Sequence, residues 1–511
     1  MDNSYDRIPY LGRAHQQTHI EKIATIPHMF GLDYPSIYGA RVLELGCGDG
    51  TNLLNMAFML PETTFVGVDG SSVQIERGIE SLHLAKLKNI ELLHSDLMAV
   101  HADLGIFDYI ICHGVYSWVP EHIRKHILTL CQQLLAPQGI AYISYNALPG
   151  WRMFGMIRDM MRYHVRNIDD DSRKIEQSIA MLQFVGQHQL DPFSNYGSFI
   201  REQMNHLSKS TSEYLFHEYL EECNQAFYFH EFVEEITNFN LQYLGETDFT
   251  SMNNLYYPPH TQEILNDISN NIHSLEQYMD FLRFRRFRCS LITHDSHTIN
   301  REVTLDPFTD AYFTLTSLHS YEYTLPSQTI LENLFCNVYI ESHQKNLGDI
   351  PLFRYCLESI FEAWPQYAHF TKICEQIERK RQSPLNEQER VEVAALLQTL
   401  LLRNELNIHL FQPQIAEEIS KKPQASPIAR AQIRYQHSIC TQHHTMISLQ
   451  DRWTRLLLPL LDGEHTIEAL LHHLRTHFHN DPILFTEETD FCEEKLQEFL
   501  NILWKRGVLI S

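Results

Sequence analysis

The segment Val42-Leu43-Glu44-Leu45-Gly46-Cys47-Gly48-Asp49-Gly50 constrains this chain more than any other. Residues 42–45 form a short apolar run with the composition of a buried parallel strand. Three glycines at alternate positions follow, and then Leu53, Leu54, Ala57, Phe58 and Leu60 at helical spacing. Strand, glycine turn and helix in that order predict an α/β unit. Without Cβ atoms the turn can be tight, and a ligand can lie against its amides beside the helix N-terminus. The spacing departs from the dinucleotide fingerprint G-x-G-x-x-G, because the third glycine comes one residue early and Glu44 stands two residues before the first. Taken alone, the segment also fits a glycine turn in some other α/β protein.

The stretches that follow narrow the choice. Residues 65–68 read as a second buried strand with Asp69 at its end, about 20 residues beyond the turn, where an acid accepts ribose hydroxyls. Gly70-Ser71-Ser72 opens another helix, and residues 90–93 form a third strand running into His94-Ser95-Asp96-Leu97. Residues 108–113 form a fourth strand. A helix ending around 134–139 leads to a fifth at 140–144. Each marker falls at the C-terminal end of a strand, the edge at which open α/β sheets bind ligands.

The pattern Glu44-Leu45-Gly46-x-Gly48-x-Gly50 resembles motif I of the class I S-adenosylmethionine (AdoMet) methyltransferases. That resemblance implies a Rossmann-like seven-stranded sheet with AdoMet as cofactor and S-adenosylhomocysteine (AdoHcy) as product. It places Glu44, Gly46, Cys47, Gly48, Asp69, Gly70, Ser71, Asp96 and Leu97 around the cofactor, with Asp96 at the adenine amino group and His113 as a neighbour. Leaders in this class often fold over the cofactor. Tyr10 and Arg13 are therefore expected at its carboxylate, and packing on the sheet is the other reading. Three further stretches are narrower signals: Cys112-His113-Gly114-Val115-Tyr116-Ser117-Trp118-Val119-Pro120, Ser144-Tyr145-Asn146-Ala147-Leu148-Pro149-Gly150-Trp151, and the run from Phe216 through Asn224 to Phe232. With residues 456–463 they resemble bacterial methyltransferases that carry a methyltransferase regulatory domain, among them the rickettsial-type protein-lysine methyltransferases. The resemblance implies a lysine-bearing protein substrate.

The expected organisation is a cofactor-covering leader at 1–40 and an AdoMet domain at 41–295 with a helical insertion at about 153–229. Strands at 241–245 and 287–293 would complete the sheet; alternatively the fold ends near 150 and the rest is separate. Arg283-Phe284-Arg285-Arg286-Phe287-Arg288 alternates charge with aromatic, which predicts a strand with one wet face. A middle regulatory, winged-helix-like domain is expected at 300–415, a linker at 420–426 and a second winged-helix-like module at 430–511. Neither module has a basic recognition helix, so both read as mainly α protein-contact modules.

Composition excludes several classes. A formal charge of −24 repels a phosphate backbone and argues against nucleic acid as partner. No apolar run reaches the roughly 18 residues of a membrane span. The N-terminus lacks a basic region followed by an apolar one, and the ten cysteines include no C-x-x-C pair, as in a cytoplasmic protein. No metal is expected, since His473 and His477 have no third ligand nearby in sequence. Glu218, Glu221 and Glu222 read as a solvated helix face.

A lysine acceptor must lose a proton before it attacks, which costs about 4–5 kcal/mol at neutral pH from a pKa of roughly 10.4. The acceptor pocket should therefore be aromatic and amide-lined. Tyr116, Trp118 and Asn146 are the expected acceptor-site residues, with loop packing the other reading of the two aromatics. The rival functions are a small-molecule methyltransferase whose C-terminal half serves dimerisation or regulation, and a non-catalytic AdoMet-binding regulator. A homodimer is compatible with either enzyme.

Overall fold

The structure is a computed structural model describing residues 4–320, 339–340, 345–346, 351–449, 452–480 and 493–511. Seven strands form one sheet in the order β3-β2-β1-β4-β5-β7-β6. They are β1 (Arg41–Leu45), β2 (Thr64–Asp69), β3 (Ile90–His94), β4 (Phe107–Cys112), β5 (Leu135–Asn146), β6 (Leu241–Glu246) and β7 (Phe287–His294). The first five run parallel, and β7 is antiparallel to both β5 and β6.

Alternation along the strands divides the core between the two faces of the sheet. Val42, Tyr109, Ile111, Tyr142 and Leu291 pack with the helices Ile20–Met29 and Thr51–Met59. Leu43, Leu45, Ile110, Ile143 and Ile292 pack with Glu121–Leu134 and Phe229–Thr237. The strand order reverses between β1 and β4, so the crevice beyond their C-terminal ends is the topological switch point.

Four helices, Trp151–Val165, Asp171–Gln187, Asn195–Leu207 and Ser212–Tyr219, separate β5 from the rest of the sheet and share their own apolar core. Asp170, Ser194 and Thr211 cap the last three by accepting a backbone N–H in the first turn. The sheet thus continues past residue 150, and the helical segment is an insertion in it.

The arginine-aromatic run differs from the wet strand expected. Its first residue ends the helix Ile272–Arg283, Phe284 is left-handed at φ 51°, and only Phe287 and Arg288 belong to β7. Arg288 is fully buried and donates to Glu246, Glu276 and Asp280 at 2.9, 2.9 and 2.8 Å. These acids supply the charge that lets the guanidinium leave water.

Past the sheet, the helices Pro351–Ala363, Phe370–Arg381 and Glu387–Leu402 pack around a three-stranded antiparallel sheet of Ala368–His369, Tyr312–Leu315 and Leu406–His409. The last module holds the helices Pro427–Gln432, Ile467–Asn480 and Glu493–Lys505 and the hairpin Ser438–Cys440 with Met446–Ser448. The expected linker is not free along its whole length. Gln424 bridges to Asp462, Ala425 bridges to Leu509, and Ser426 caps the first helix of the module. Both modules return to the leader and to the glycine-turn helix. Lys22 Nζ donates to Ile408 O at 2.8 Å, and Asn55 Nδ2 donates to Thr441 O at 3.1 Å. Among the described residues no helix is long and apolar enough to cross a membrane.

Candidate cofactor and acceptor site

The glycine turn hangs from β2, because the amides of Gly46 and Cys47 donate to Val68 O at 2.8 and 3.1 Å. Gly46, Gly48 and Gly50 have φ of 78°, 57° and 70°, the left-handed region that glycine adopts without a Cβ penalty. Gly78, on the helix Ser72–Ala85, lets that helix close on the turn: a Cβ there would stand 2.4 Å from Asp49 O.

At the end of β2, Asp69 accepts from Gly48 N and Ser71 N, both at 2.8 Å. Burial raises its pKa, and those two amides oppose the rise. Glu44 Oε1 accepts from Asn52 Nδ2 at 2.9 Å, and Oε2 is buried without a partner among the described residues. Burial, aided by the charges of Asp69 and Asp49, pushes the Glu44 carboxyl up to about 8. Asp96 is exposed beside Leu97 and caps the short turn Leu97–Ala99 through Met98 N at 2.8 Å. Gly114, also left-handed at φ 67°, has open space where a Cβ would be. An unpartnered carboxyl oxygen, an acid at the end of β2 and a glycine-lined opening at the switch point fit a nucleoside cofactor.

The leader covers this crevice. Asp6 accepts from Ser71 Oγ at 2.6 Å, and Gly12 lies so close to Asp49 that a Cβ would fall 1.8 Å from its Oδ1. The Tyr5 ring stacks on His217 of the insertion at 4.2 Å, and Tyr10 meets the same ring edge-on at 5.7 Å. Tyr10 therefore packs on the insertion side. Arg13 is exposed, with its charge felt by Tyr10 and His15. His113 Nδ1 lies 2.8 Å from Tyr142 Oη and its ring 4.1 Å from that of His15; burial, helped by His15, holds its pKa well below the usual range.

The loops after β4 and β5 meet beyond the sheet. Ser117 Oγ accepts from Asn146 N at 2.9 Å, and Asn146 Nδ2 is buried without a partner among the described residues. Trp118 stands edge-on to Trp151 at 6.2 Å, with the Arg158 guanidinium 5.6 Å above its ring. Tyr116 is not brought to this group. It is fully buried among Phe227, Phe232 and Tyr145, and its hydroxyl donates to Glu235 at 2.8 Å.

Two of the three acids read as a solvated face are drawn inward. Glu221 accepts from Ser4 Oγ at 2.8 Å and pairs with His217 Nδ1 at 2.8 Å. Glu218 is half-buried and flanked by the charges of Arg158 and Arg286; Glu222 alone is exposed. Glu221 meets Ser4 of the leader 217 positions away, and Glu218 is flanked by Arg158 and Arg286 at 60 and 68 positions, separations that no local pattern signals. Sequence reasoning also does not reach Asp6, Gly12 and Arg158, whose partners Ser71, Asp49 and Glu221 lie tens of positions away, or Asn52, whose contact with Glu44 crosses the glycine turn.

Comparison with known proteins agrees with this geometry. Residues 42–139 match the "Methyltransferase domain" model, 211–294 the "Predicted methyltransferase regulatory domain" and 421–503 the "PKMT, C-terminal winged helix domain". The regulatory match thus covers the last insertion helix and β6–β7, whereas 300–415 was the region expected to be regulatory. RP028 of Rickettsia prowazekii is 40% identical over 43% of this chain and 88% of its own length. RP789 of the same organism is 39% identical over 60% of this chain, a match that spans 55% of RP789. PKMT2 from Rickettsia typhi, solved also with AdoHcy, superposes with a TM-score of 0.80 at 30% identity, covering 98% of this chain and 100% of that one.

Fold and site together define an AdoMet-dependent methyltransferase of the Rossmann-like class. Within that class, the chain belongs to the family that joins a methyltransferase regulatory domain to a PKMT-type C-terminal winged helix.

Proposed function

We propose that this enzyme transfers methyl groups from AdoMet to lysine side chains of a protein substrate. The observation that carries the reading is the likeness to R. typhi PKMT2 over 98% of the chain, winged-helix module included. A small acceptor needs no such second half, whereas a protein acceptor has to be gripped away from the reacting side chain.

Bound AdoMet supplies an electrophilic methyl on a sulfonium. The chain's own task is alignment and exclusion of water, worth about 7–11 kcal/mol when complete. Asp69, held by the Gly48 and Ser71 amides, is placed to receive the ribose hydroxyls, and the glycine turn leaves room for the amino-acid end. Gly70 and Ser71 start the helix beneath, with Asp96 and Leu97 at the adenine side and His113 beyond them. The Trp118 face, crossed by Trp151, suits a cationic or methylated nitrogen. Asn146 Nδ2 is a buried donor without a partner among the described residues, the kind of group an acceptor amine would engage. All eight described cysteines are free, which accords with a cytoplasmic enzyme.

The test is transfer of labelled methyl from AdoMet to bacterial lysate proteins, followed by acid hydrolysis. Label recovered as methyl-lysine supports the reading. Label confined to a small fraction indifferent to protease contradicts it and favours a small-molecule acceptor.

A further inference from the structure

Resting on the lysine reading above, we propose that the exposed row of Tyr278, Phe281, Phe284 and Phe287, flanked by Arg152 and Arg286, is a docking surface. Its occupant is the segment of the substrate protein around the target lysine, apolar in the main and with an acidic side chain near that lysine.

The helix Ile272–Arg283 is turned inside out. It buries Glu276, Gln277 and Asp280, because both acids hold the buried Arg288. Tyr278, Phe281 and Leu282 are left on the outer face, 37%, 46% and 56% exposed. Phe284 and Phe287 continue the row past the helix end at 48% and 36%. The Phe281 ring stands edge-on to Tyr278 at 6.3 Å and to Tyr228 at 6.0 Å. Buried acids behind exposed aromatics reverse the ordinary distribution, and an apolar patch of this kind marks a binding surface.

The row runs into the acceptor side. The backbone of Phe284 and Arg285 packs on Gly150, where a Cβ would strike the Phe284 carbonyl, and Gly150 N donates to Arg285 O at 3.0 Å. Ala147 N donates to Arg286 O at 2.9 Å. Phe287 pairs with Asn146 between β7 and β5, and its ring lies 6.0 Å from that of His113. A segment laid along the row therefore ends beside Asn146.

Charge decides the occupant. In a chain of net charge −24, Arg152 and Arg286 are exposed, and neither forms an ion pair among the described residues. Glu218 feels Arg286 without pairing with it. Each guanidinium lies over a ring instead, Arg152 over Tyr228 at 5.9 Å and Arg286 over Phe154 at 5.0 Å. Phe154 stacks on Trp151 at 5.8 Å, which puts Arg286 against the rings of the acceptor side. A guanidinium stacked on a ring keeps its N–H edge for a carboxylate. Aromatic residues with arginine are also the side chains in which protein interfaces are enriched. A second copy in a two-fold contact would bring the same patch, with the same cations, face to face.

The experiment measures initial rates of methyl-lysine formation against the concentration of heat-treated lysate protein. Wild type, Phe281→Ser and Arg286→Glu are compared, with AdoMet calorimetry, thermal melting and sedimentation in parallel. Each substitution is expected to raise the half-saturating protein concentration about 10-fold while the limiting rate and AdoMet affinity are kept. Mass spectrometry of the methylated peptides should find an acidic residue near the modified lysine in wild type, a preference that Arg286→Glu loses. Wild-type half-saturation in both variants would overturn the inference and leave the lysine reading intact. A lower melting temperature with lost AdoMet affinity would overturn it by showing a packing role. A change of oligomeric state in Phe281→Ser would overturn it in favour of a contact between copies. If wild type yields label but no methyl-lysine, both readings fall.

Discussion

Asn52 Oδ1 accepts from His444 Nε2 at 2.8 Å across 392 positions of sequence. The same Asn52 donates to Glu44 at 2.9 Å, and His444 Nδ1 lies 3.0 Å from Asn55 Nδ2. The acid of the glycine-turn strand and a hairpin of the C-terminal module are therefore joined through one buried amide. His444→Ala should cost about 1–3 kcal/mol by leaving Asn52 and Asn55 short of a partner. It should also weaken AdoMet binding, because Asn52 orients Glu44. Thermal melting and calorimetry read both effects, and an unchanged AdoMet affinity would show that the module does not bear on the turn.

Two glycines predict a graded effect on the same turn. A Cβ at Gly78 meets the Asp49 carbonyl at 2.4 Å, and backbone cannot swing aside. A Cβ at Gly12 meets the Asp49 side chain at 1.8 Å, which can rotate. Gly78→Ala should cost about 1–3 kcal/mol of stability and most AdoMet binding, with Gly12→Ala milder on both counts. The reverse ranking in melting temperature and affinity would refute this packing account.

Seven histidines at the domain junction stay neutral in the fold. Burial holds His15 and His19 at about 4, and His113, His319, His409, His443 and His444 well below the usual value. Unfolded, each protonates near a pKa of roughly 6.5, so below that pH the unfolded chain binds more protons and stability falls. Glu44 at about 8 and Glu218 and Glu276 at about 7 act in the opposite sense, as do the smaller upward shifts of Asp49, Asp69, Asp280 and Glu405, and the seven histidines outweigh the three large ones. Denaturation midpoints should therefore drop from about pH 7.5 to about pH 5.5. A flat or rising midpoint would contradict the assignment of neutral junction histidines.

Arg288 holds Glu246, Glu276 and Asp280 in the core. Arg288→Met keeps the volume but takes the ion pair from Glu276 and leaves Glu246 and Asp280 to Arg285 alone, for an expected loss of about 3–5 kcal/mol, read by chemical denaturation. A near-neutral result would mean that the acids shed their charge by taking up protons.

The sheet was legible where apolar runs and glycine punctuation coincide, as in β1 to β4 and in the turn of Gly46, Gly48 and Gly50. β5 begins at Leu135 instead of 140, because a strand irregularity opposite Phe107 takes up Ala136, Pro137 and Gln138. The expected cofactor-side positions from Glu44 to His113 lie in or just past the ends of strands, where sequence spacing locates them, whereas Tyr10 and Arg13 of the leader do not. The acceptor side was not legible: Glu221 is drawn inward by Ser4 from the leader, and Tyr116 turns inward because Glu235 sits 119 positions later. Arg288 looked solvated because Glu246, 42 positions earlier, leaves no trace in the local alternation.

The central claim is that AdoMet lies in the crevice bounded by the glycine turn and Asp69. Titration calorimetry of AdoMet into the wild type and Asp69→Ala tests it most directly. The account predicts saturable one-to-one binding by the wild type and none detectable in a folded Asp69→Ala protein. Near-normal affinity in that variant would contradict the site assignment.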